Sequence, residues 1–307
     1  MEIDIVYTWV NGSDLQYIDT WNANSKRKKD RNPERYRDSF ELLRYSIRSL
    51  ELYFPYYRNI YIVTARPQVP AWLNLSNERV HLIHHDQIID AEYLPTFNSN
   101  VIESFLHNIP GISDHFLYLN DDHLFGAPCS LDRFYKENRY QVYNTFFGEN
   151  LSWRLYDGYR DIVGLGLIEH NPIFINKYFW REAFGLFPEK TQQTRQSKFR
   201  AKTDFFPLKL YRYYLLKYHR EICEPVPVFT LLSYHQFYKL TNELKKQRRM
   251  IEQLKNRRPE FYCLNDDMKG TPNPDVLRVI QEYLNEIYPK PSSYENLDEI
   301  KKVVSTE

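Results

Sequence analysis

Apolar runs and segments of helical period alternate over residues 1–125, and no other feature restricts the fold as strongly. Ile3-Asp-Ile-Val-Tyr-Thr-Trp-Val10 reads as a buried strand closed by Asn11-Gly12. Phe40, Leu43, Ile47, Leu50 and Phe54 then recur at helical spacing, with Asp38 and Glu41 placed as a capping box and Pro55 as the stop. Ile60–Thr64 predicts a second strand and Val80–Ile83 a third. Residues 98–108 predict a helix ended by Pro110-Gly111, and Phe116–Leu119 a fourth strand running into Asn120-Asp121-Asp122. Strands separated by helices imply an α/β fold with a mostly parallel, doubly wound, Rossmann-like sheet. Ligands of such sheets sit beyond the carboxyl ends of the strands. That places Thr8 to Asp14, Thr64 to Arg66 and Asn120 to Asp122 at the candidate site.

The second half is less regular. Short strands and turns are expected over 139–175, with helices near 177–186 and 204–219. A long helix over Tyr238–Arg258 carries Lys245, Lys246, Arg248, Arg249, Lys255, Arg257 and Arg258. One domain spanning 1–307 is expected: an α/β half (1–128), a second half with a helical elaboration (129–288) and a loosely packed tail (289–307).

Only 9 of the 307 residues are glycine, and neither G-x-x-x-x-G-K-[ST] nor a post-strand G-x-G-x-x-G occurs. Any phosphate must then be handled by side chains or a metal rather than by a glycine cradle. Lys+Arg 41 against Asp+Glu 40 argues against a general nucleic-acid binder. Cys129, Cys223 and Cys263 are odd in number and lack C-x-x-C spacing, which disfavours a disulfide framework or a zinc site and makes a reducing cytosol the simplest home. Neither a signal peptide nor a run of 18 apolar residues is evident, so a soluble cytoplasmic protein is expected.

Several residues could carry chemistry. Asp121 and Asp122, adjacent at a strand end, suit a divalent cation with positions left for a diphosphate; an Asx turn or helix cap is the plainer alternative. Leu-Asn-Asp-Asp recurs at 264–267, which would let Asp266 complete the same metal site, although one repeated tetrapeptide can arise by chance. Glu103 is either the end of a capping box from Asn100 or a carboxylate facing the ligand edge. His170, before Asn171-Pro172, is an accessible imidazole or an ordinary surface histidine. Arg200 lies in a basic stretch before a helix, a phosphate clamp or a solvated face. The basic helix over 238–258 is a solvated face or a contact for anionic lipid or a polyanionic product, and Lys26 to Arg37 reads as a basic loop that could close over a diphosphate.

Taken in order, Ile5-Val-Tyr-Thr-Trp-Val-Asn-Gly-Ser-Asp14, Arg37-Asp38 through Leu42-Leu-Arg44-Tyr-Ser-Ile-Arg48-Ser, Asn59-Ile-Tyr-Ile-Val-Thr64, Trp72-Leu-Asn74, Leu94-Pro-Thr-Phe-Asn98-Ser, Ile102-Glu103 and Tyr118-Leu-Asn-Asp-Asp122 form two long segments. His170-x-Pro172 with Arg200 and Asp204 forms a third, and Phe261-Tyr-Cys-Leu-Asn265-Asp266 a fourth. The four together resemble the Stealth family of hexose-1-phosphate transferases, which includes bacterial capsular polysaccharide phosphotransferases and, as a relative, the α/β subunit of the animal lysosomal-enzyme N-acetylglucosamine-1-phosphotransferase. The ending Tyr288-Pro-Lys-Pro-Ser-Ser-Tyr-Glu295 also looks like bacterial members. Asp267 departs from the animal pattern, where Asn stands, and Ser39-Phe40 follow the bacterial one, so a bacterial glycan acceptor is favoured over a lysosomal protein.

The resemblance implies catalytic roles for Glu103, Asp122, His170 and Arg200. It implies a UDP-hexose or UDP-N-acetylhexosamine donor, UMP release, a phosphodiester product and an oligosaccharide or lipid-linked glycan acceptor. Asp122 with Asp121 or Asp266 would hold Mg²⁺ or Mn²⁺ and Arg200 would neutralise the phosphate. His170 or Asp122 would be the general base, with Glu103 orienting one of them. Thr8, Trp9, Asn11, Gly12, Asp14, Thr64 and Asn98 would bind substrate, Trp9 by stacking, and Arg44 would pair with a site carboxylate. Peripheral attachment at the inner face of the cell membrane is a further expectation for the basic helix. The rival readings are a metal-dependent glycosyltransferase releasing UDP and a non-enzymatic glycan- or polyanion-binding module.

Overall fold

A computed structural model of the chain describes residues 1–25, 36–143 and 170–296. Its main sheet has the order β3-β2-β1-β4-β8, made of β1 (Ile3–Thr8), β2 (Ile60–Thr64), β3 (Val80–His84), β4 (His115–Asn120) and β8 (Ile173–Asn176). The first four are parallel, and β8 runs antiparallel to β4. Every residue of β2 is buried, as is the interior of β1 and β4, which is why these strands read as unbroken apolar runs. The chain leaves β1 for β2 on one side and returns to β4 on the other, so the sheet switches direction between β1 and β4.

Two smaller sheets extend it. β5 (His123–Phe125) pairs antiparallel with β11 (Phe261–Asp266), which lies parallel to β10 (His235–Leu240). β6 (Tyr135–Lys136), β7 (Arg139–Tyr143) and β9 (Cys223–Val226) form the third. Asp121 and Asp122 are thus the two-residue corner at which the chain passes from the main sheet into the second. The helices are α1 (Leu15–Asn24), α2 (Leu42–Tyr53), α3 (Ser99–Ser104), α4 (Lys177–Gly185), α5 (Pro188–Arg195), α6 (Pro207–Tyr218), α7 (Leu244–Arg257) and α8 (Pro274–Ile287), besides shorter turns. One large core joins residues of both halves, with a second cluster under α7 and α8.

Several expectations are corrected. The capping box at α2 does not form: Glu41 is the N-cap in a left-handed conformation (φ 48°) without a side-chain cap, and Asp38 accepts from Trp9 instead. The Asn100–Glu103 box is likewise absent, because Asn98 caps α3, which ends at Ser104. The basic helix starts later than 238, since Tyr238–Leu240 pair with β11 as strand. The helix expected from 204 starts at Pro207. β8 joins the sheet of residues 1–128 and β5 pairs with β11, so strand pairing runs across the two halves of the expected single domain. The tail is not loose up to Glu295: Tyr294 and Glu295 are buried, and Leu73 bridges to Glu295. Most of the Lys26–Arg37 loop, the middle of 139–175 and the end of the tail lie outside the described residues. Among the described residues no helix is long and apolar enough to cross a membrane.

Candidate active site

The carboxyl ends of β1 and β4 open on a cleft of about 320 Å³. Thr8 ends β1 and Trp9 follows it, Asn120 ends β4 and the corner adds Asp121 and Asp122, and α3 contributes Asn100 and Glu103. Asp38 enters from the loop before α2 and Asp266 from the end of β11, while His170, Arg200, Lys209 and Arg212 stand on the side of the second half.

Five carboxylates therefore line one cleft, and their surroundings separate them. Asp38 accepts from Trp9 Nε1 at 3.0 Å, yet burial pushes its carboxyl up to about 7. Asp121 is pushed well above the usual carboxylate range, first by burial and then by the charges of Asp122 and Asp38. Burial raises Asp266 as well, against the pull of Arg37, whose Nε lies 3.2 Å from its Oδ2. Arg37 also donates to the carbonyls of Gly270 and Met268, so Asp266 is braced within a loop. Asp122 is held differently: Asn265 Nδ2 donates to its Oδ2 at 3.1 Å, and Leu264 N–H to its backbone carbonyl at 2.9 Å. The two Leu-Asn-Asp-Asp copies meet, through Asn265 on Asp122.

Burial pushes Glu103 up to about 7, with Arg200 and the Tyr118 hydroxyl pulling it back. That hydroxyl lies 3.2 Å from Glu103 Oε1 and 2.9 Å from both Asn120 Oδ1 and Thr8 Oγ1. Its single proton goes to one of the two acceptors, which leaves Thr8 to donate to it. Arg200 spans to Ser99, its Nε 3.1 Å from the hydroxyl. His170 adopts φ 59°, uncommon for a residue with a Cβ, and its ring packs 4.9 Å from that of Phe237. Its Nδ1 is buried without a hydrogen-bond partner. Asp122, His123, His170 and Cys263 each bring a ligand atom within 4.8 Å of the others.

Thr8, Trp9, Glu103, Asp121, Asp122, His170, Arg200 and Asp266 thus line one cleft. Trp9, only 6% exposed and tied to Asp38, is a wall and not a stacking platform. Asn11, Gly12, Asp14, Thr64 and Asn98 are not among the lining residues. They shape the cleft from behind: Asn11 exchanges two bonds with Gln68, Gly12 N–H donates to Tyr36 O, and Asp14 caps α1. Thr64 is buried in β2, and Asn98 donates to Asp204 Oδ2 at 2.8 Å. Arg44 does not pair with a site carboxylate; it binds Glu295 at 2.6 Å and Glu41 at 2.8 Å. Sequence reading assigned no site role to Asp38, Asn265 or the aromatic lining of Tyr17, Tyr36 and Phe97, nor to Tyr118, which bonds Glu103, Asn120 and Thr8 behind the lining. Tyr118 was open to discovery, since it shares a strand face with Asn120 two residues on.

A carboxylate-rich cleft at the switch point of a mostly parallel sheet, flanked by arginine and lysine, defines a class of α/β ligand-binding domain that manages charge with side chains. The chain belongs to the Stealth family. Models of Stealth conserved regions 1, 2, 3 and 4 match residues 1–28, 35–143, 169–217 and 252–302. The chain is similar to the exopolysaccharide phosphotransferase SCO6023 of Streptomyces coelicolor (32% identical, 95% of this chain and 52% of that one). It is also similar to the capsular polysaccharide phosphotransferases fcs1 of Haemophilus influenzae (29%, 86% and 78%) and SacB of Neisseria meningitidis serogroup A (29%, 96% and 57%). It thus spans about half the length of the Streptomyces relative. Among solved structures it is similar to the galactosyltransferase LgtC with donor and acceptor sugar analogues (TM-score 0.46, 14% identical, 95% of this chain and 97% of that one).

Proposed function

We propose that the chain transfers a sugar-1-phosphate from a nucleotide sugar, a UDP-hexose or UDP-N-acetylhexosamine, to a hydroxyl of an oligosaccharide or lipid-linked glycan. The supporting observation is the convergence of Glu103, Asp122, His170 and Arg200, from four separate segments, on one cleft. The names of the relatives favour the same chemistry.

In this reading the acceptor oxygen attacks the β-phosphorus, the bond between that phosphorus and the α–β bridging oxygen breaks, and UMP leaves. His170 takes the acceptor proton, and Arg200 stands against the charge on the transferring phosphate. Asp122, fixed by Asn265, orients the imidazole, while Glu103 and Tyr118 hold Thr8 and Asn120 at the strand edge. Asp38 and Asp121, which line the same cleft, would hold a divalent cation, Mg²⁺ or Mn²⁺, in place of the expected set Asp121, Asp122 and Asp266, since Asn265 bonds Asp122 and Arg37 pairs with Asp266. Such an ion would supply charge neutralisation to the diphosphate. Tyr17, Tyr36 and Phe97 offer ring surface for the base in place of Trp9. The exposed cations of α7 suit a cytoplasmic enzyme resting on anionic lipid at the inner face of the membrane.

The test is nucleotide product analysis with a panel of nucleotide sugars, Mg²⁺ and oligosaccharide acceptors. UMP is expected, and UDP would instead establish a glycosyltransferase. Asp122→Asn and His170→Ala should each lower turnover by at least ~100-fold while the circular dichroism spectrum stays unchanged. Unaltered turnover in both would remove Asp122 and His170 from the chemistry, and absence of any nucleotide product would leave a binding module.

A further inference from the structure

Behind the cleft floor, four potential ligand atoms face one another with little else to bind. Asp122 Oδ1 and His123 Nε2 are 3.7 Å apart, and neither has a hydrogen-bond partner. His123 is only 3% exposed and Asp122 8%. The imidazole of His170, whose Nδ1 has no partner, and the buried thiol of Cys263 complete the group, one ligand atom from each of the four residues lying within 4.8 Å of the others. Burying a polar atom without a partner forfeits the hydrogen bonds that water would give it, so several orphans gathered at one point call for a common partner.

The donor set identifies that partner. Two imidazole nitrogens, one thiolate and one carboxylate oxygen suit a tetrahedral ion of borderline softness, whereas Mg²⁺ demands an octahedron of oxygens. The ligands come from β5, β11, the corner between β4 and β5, and the residue before Asn171-Pro172. That dispersion explains why cysteine spacing in the sequence pointed away from zinc. The Asn120 amide reaches His123 Nδ1 at 3.3 Å, and this long contact is what ligation through Nε2 would give up as the ring proton moves to Nδ1.

We propose that Asp122, His123, His170 and Cys263 form a Zn²⁺ site separate from the carboxylates Asp38 and Asp121, and that zinc bound there withdraws His170 from proton transfer. The inhibitory half rests on the transferase reading; the site itself does not. Binding releases the Cys263 proton, so affinity rises with pH.

The metal-free chain is titrated with Co²⁺ and followed by absorption. One equivalent should give tetrahedral ligand-field bands and a thiolate charge-transfer band, both displaced by equimolar Zn²⁺ and untouched by excess Mg²⁺. Cys263→Ser should lose the charge-transfer band, His123→Gln should bind at least ~10-fold more weakly, and Cys129→Ser should match the parent. Circular dichroism keeps loss of the site distinct from loss of the fold. An octahedral spectrum without the thiolate band, or a band that survives Cys263→Ser, overturns the site. In the UMP-release assay with saturating Mg²⁺, added Zn²⁺ should inhibit the parent, with the ratio of rates with and without zinc moving to near one in Cys263→Ser. Equal zinc sensitivity in both overturns the inhibition. Absence of UMP release in Mg²⁺ alone counts against the transferase reading, while the cobalt spectrum still decides the site.

Discussion

At the scale of single residues, the cleft separates its carboxyl groups by solvation. Glu103 and Asp38 are held near 7 by burial, and burial raises Asp266 too, against the Met268 N–H and the paired Arg37 guanidinium. Glu103 makes this measurable. Its folded value of about 7 lies above the 4.5 of an unfolded chain, so the folded protein holds the proton more tightly. The stability this lends is full below about pH 4.5 and falls as pH rises through 7, by on the order of 3 kcal/mol. Glu103→Gln removes the titration. Urea melts should show the variant more stable than the parent at pH 8, by up to ~3 kcal/mol, with the difference shrinking toward pH 5. A constant difference across that range would mean that Glu103 stays ionised in the fold.

At the scale of elements, the segment after α8 acts as a latch on α2. Glu295 is fully buried at its side chain and accepts from Arg44 Nε at 2.6 Å, Arg48 Nε at 2.6 Å, Arg48 Nη2 at 2.7 Å and Ser292 N–H at 2.8 Å. Glu295→Ala leaves buried guanidinium unpaired and should cost about 3–5 kcal/mol, read as a lower denaturation midpoint with little change in slope. The partners lie about 250 residues apart in sequence, which is why this contact was illegible before the structure and Arg44 was assigned to the wrong carboxylate. The first four strands were legible because central parallel strands are apolar on both faces. The start of the basic helix was misread because Leu240 and Leu244 match helical spacing, although Leu240 closes β10. The capping boxes failed for another reason: Asp38 and Glu103 found tertiary partners, Trp9 and Tyr118, that local spacing cannot reveal. The cleft residues were legible in proportion to how close they lie to a strand end.

At the scale of the whole molecule, partly buried histidines add to acid sensitivity. Burial lowers His85 and His107 to about 4, with His84 adding to the effect on the first and Arg195 and Arg181 on the second. An unfolded chain protonates them near 6.5, so their contribution is full above that pH and is lost as pH falls toward 4, on the order of 2–3 kcal/mol each. Thermal melts should therefore fall steeply between pH 6.5 and 4, and His107→Gln should flatten part of that slope. Asp122 and the Asn265 amide that holds it are separated by 143 residues. At ribosomal speeds, roughly 5–20 residues per second, the nascent chain carries its cleft carboxylates for on the order of ten seconds before the strand that steadies them is made. Translation therefore releases most of the α/β sheet first and the brace of the cleft last, and a chain cut short before β11 would carry Asp122 without the amide that holds it.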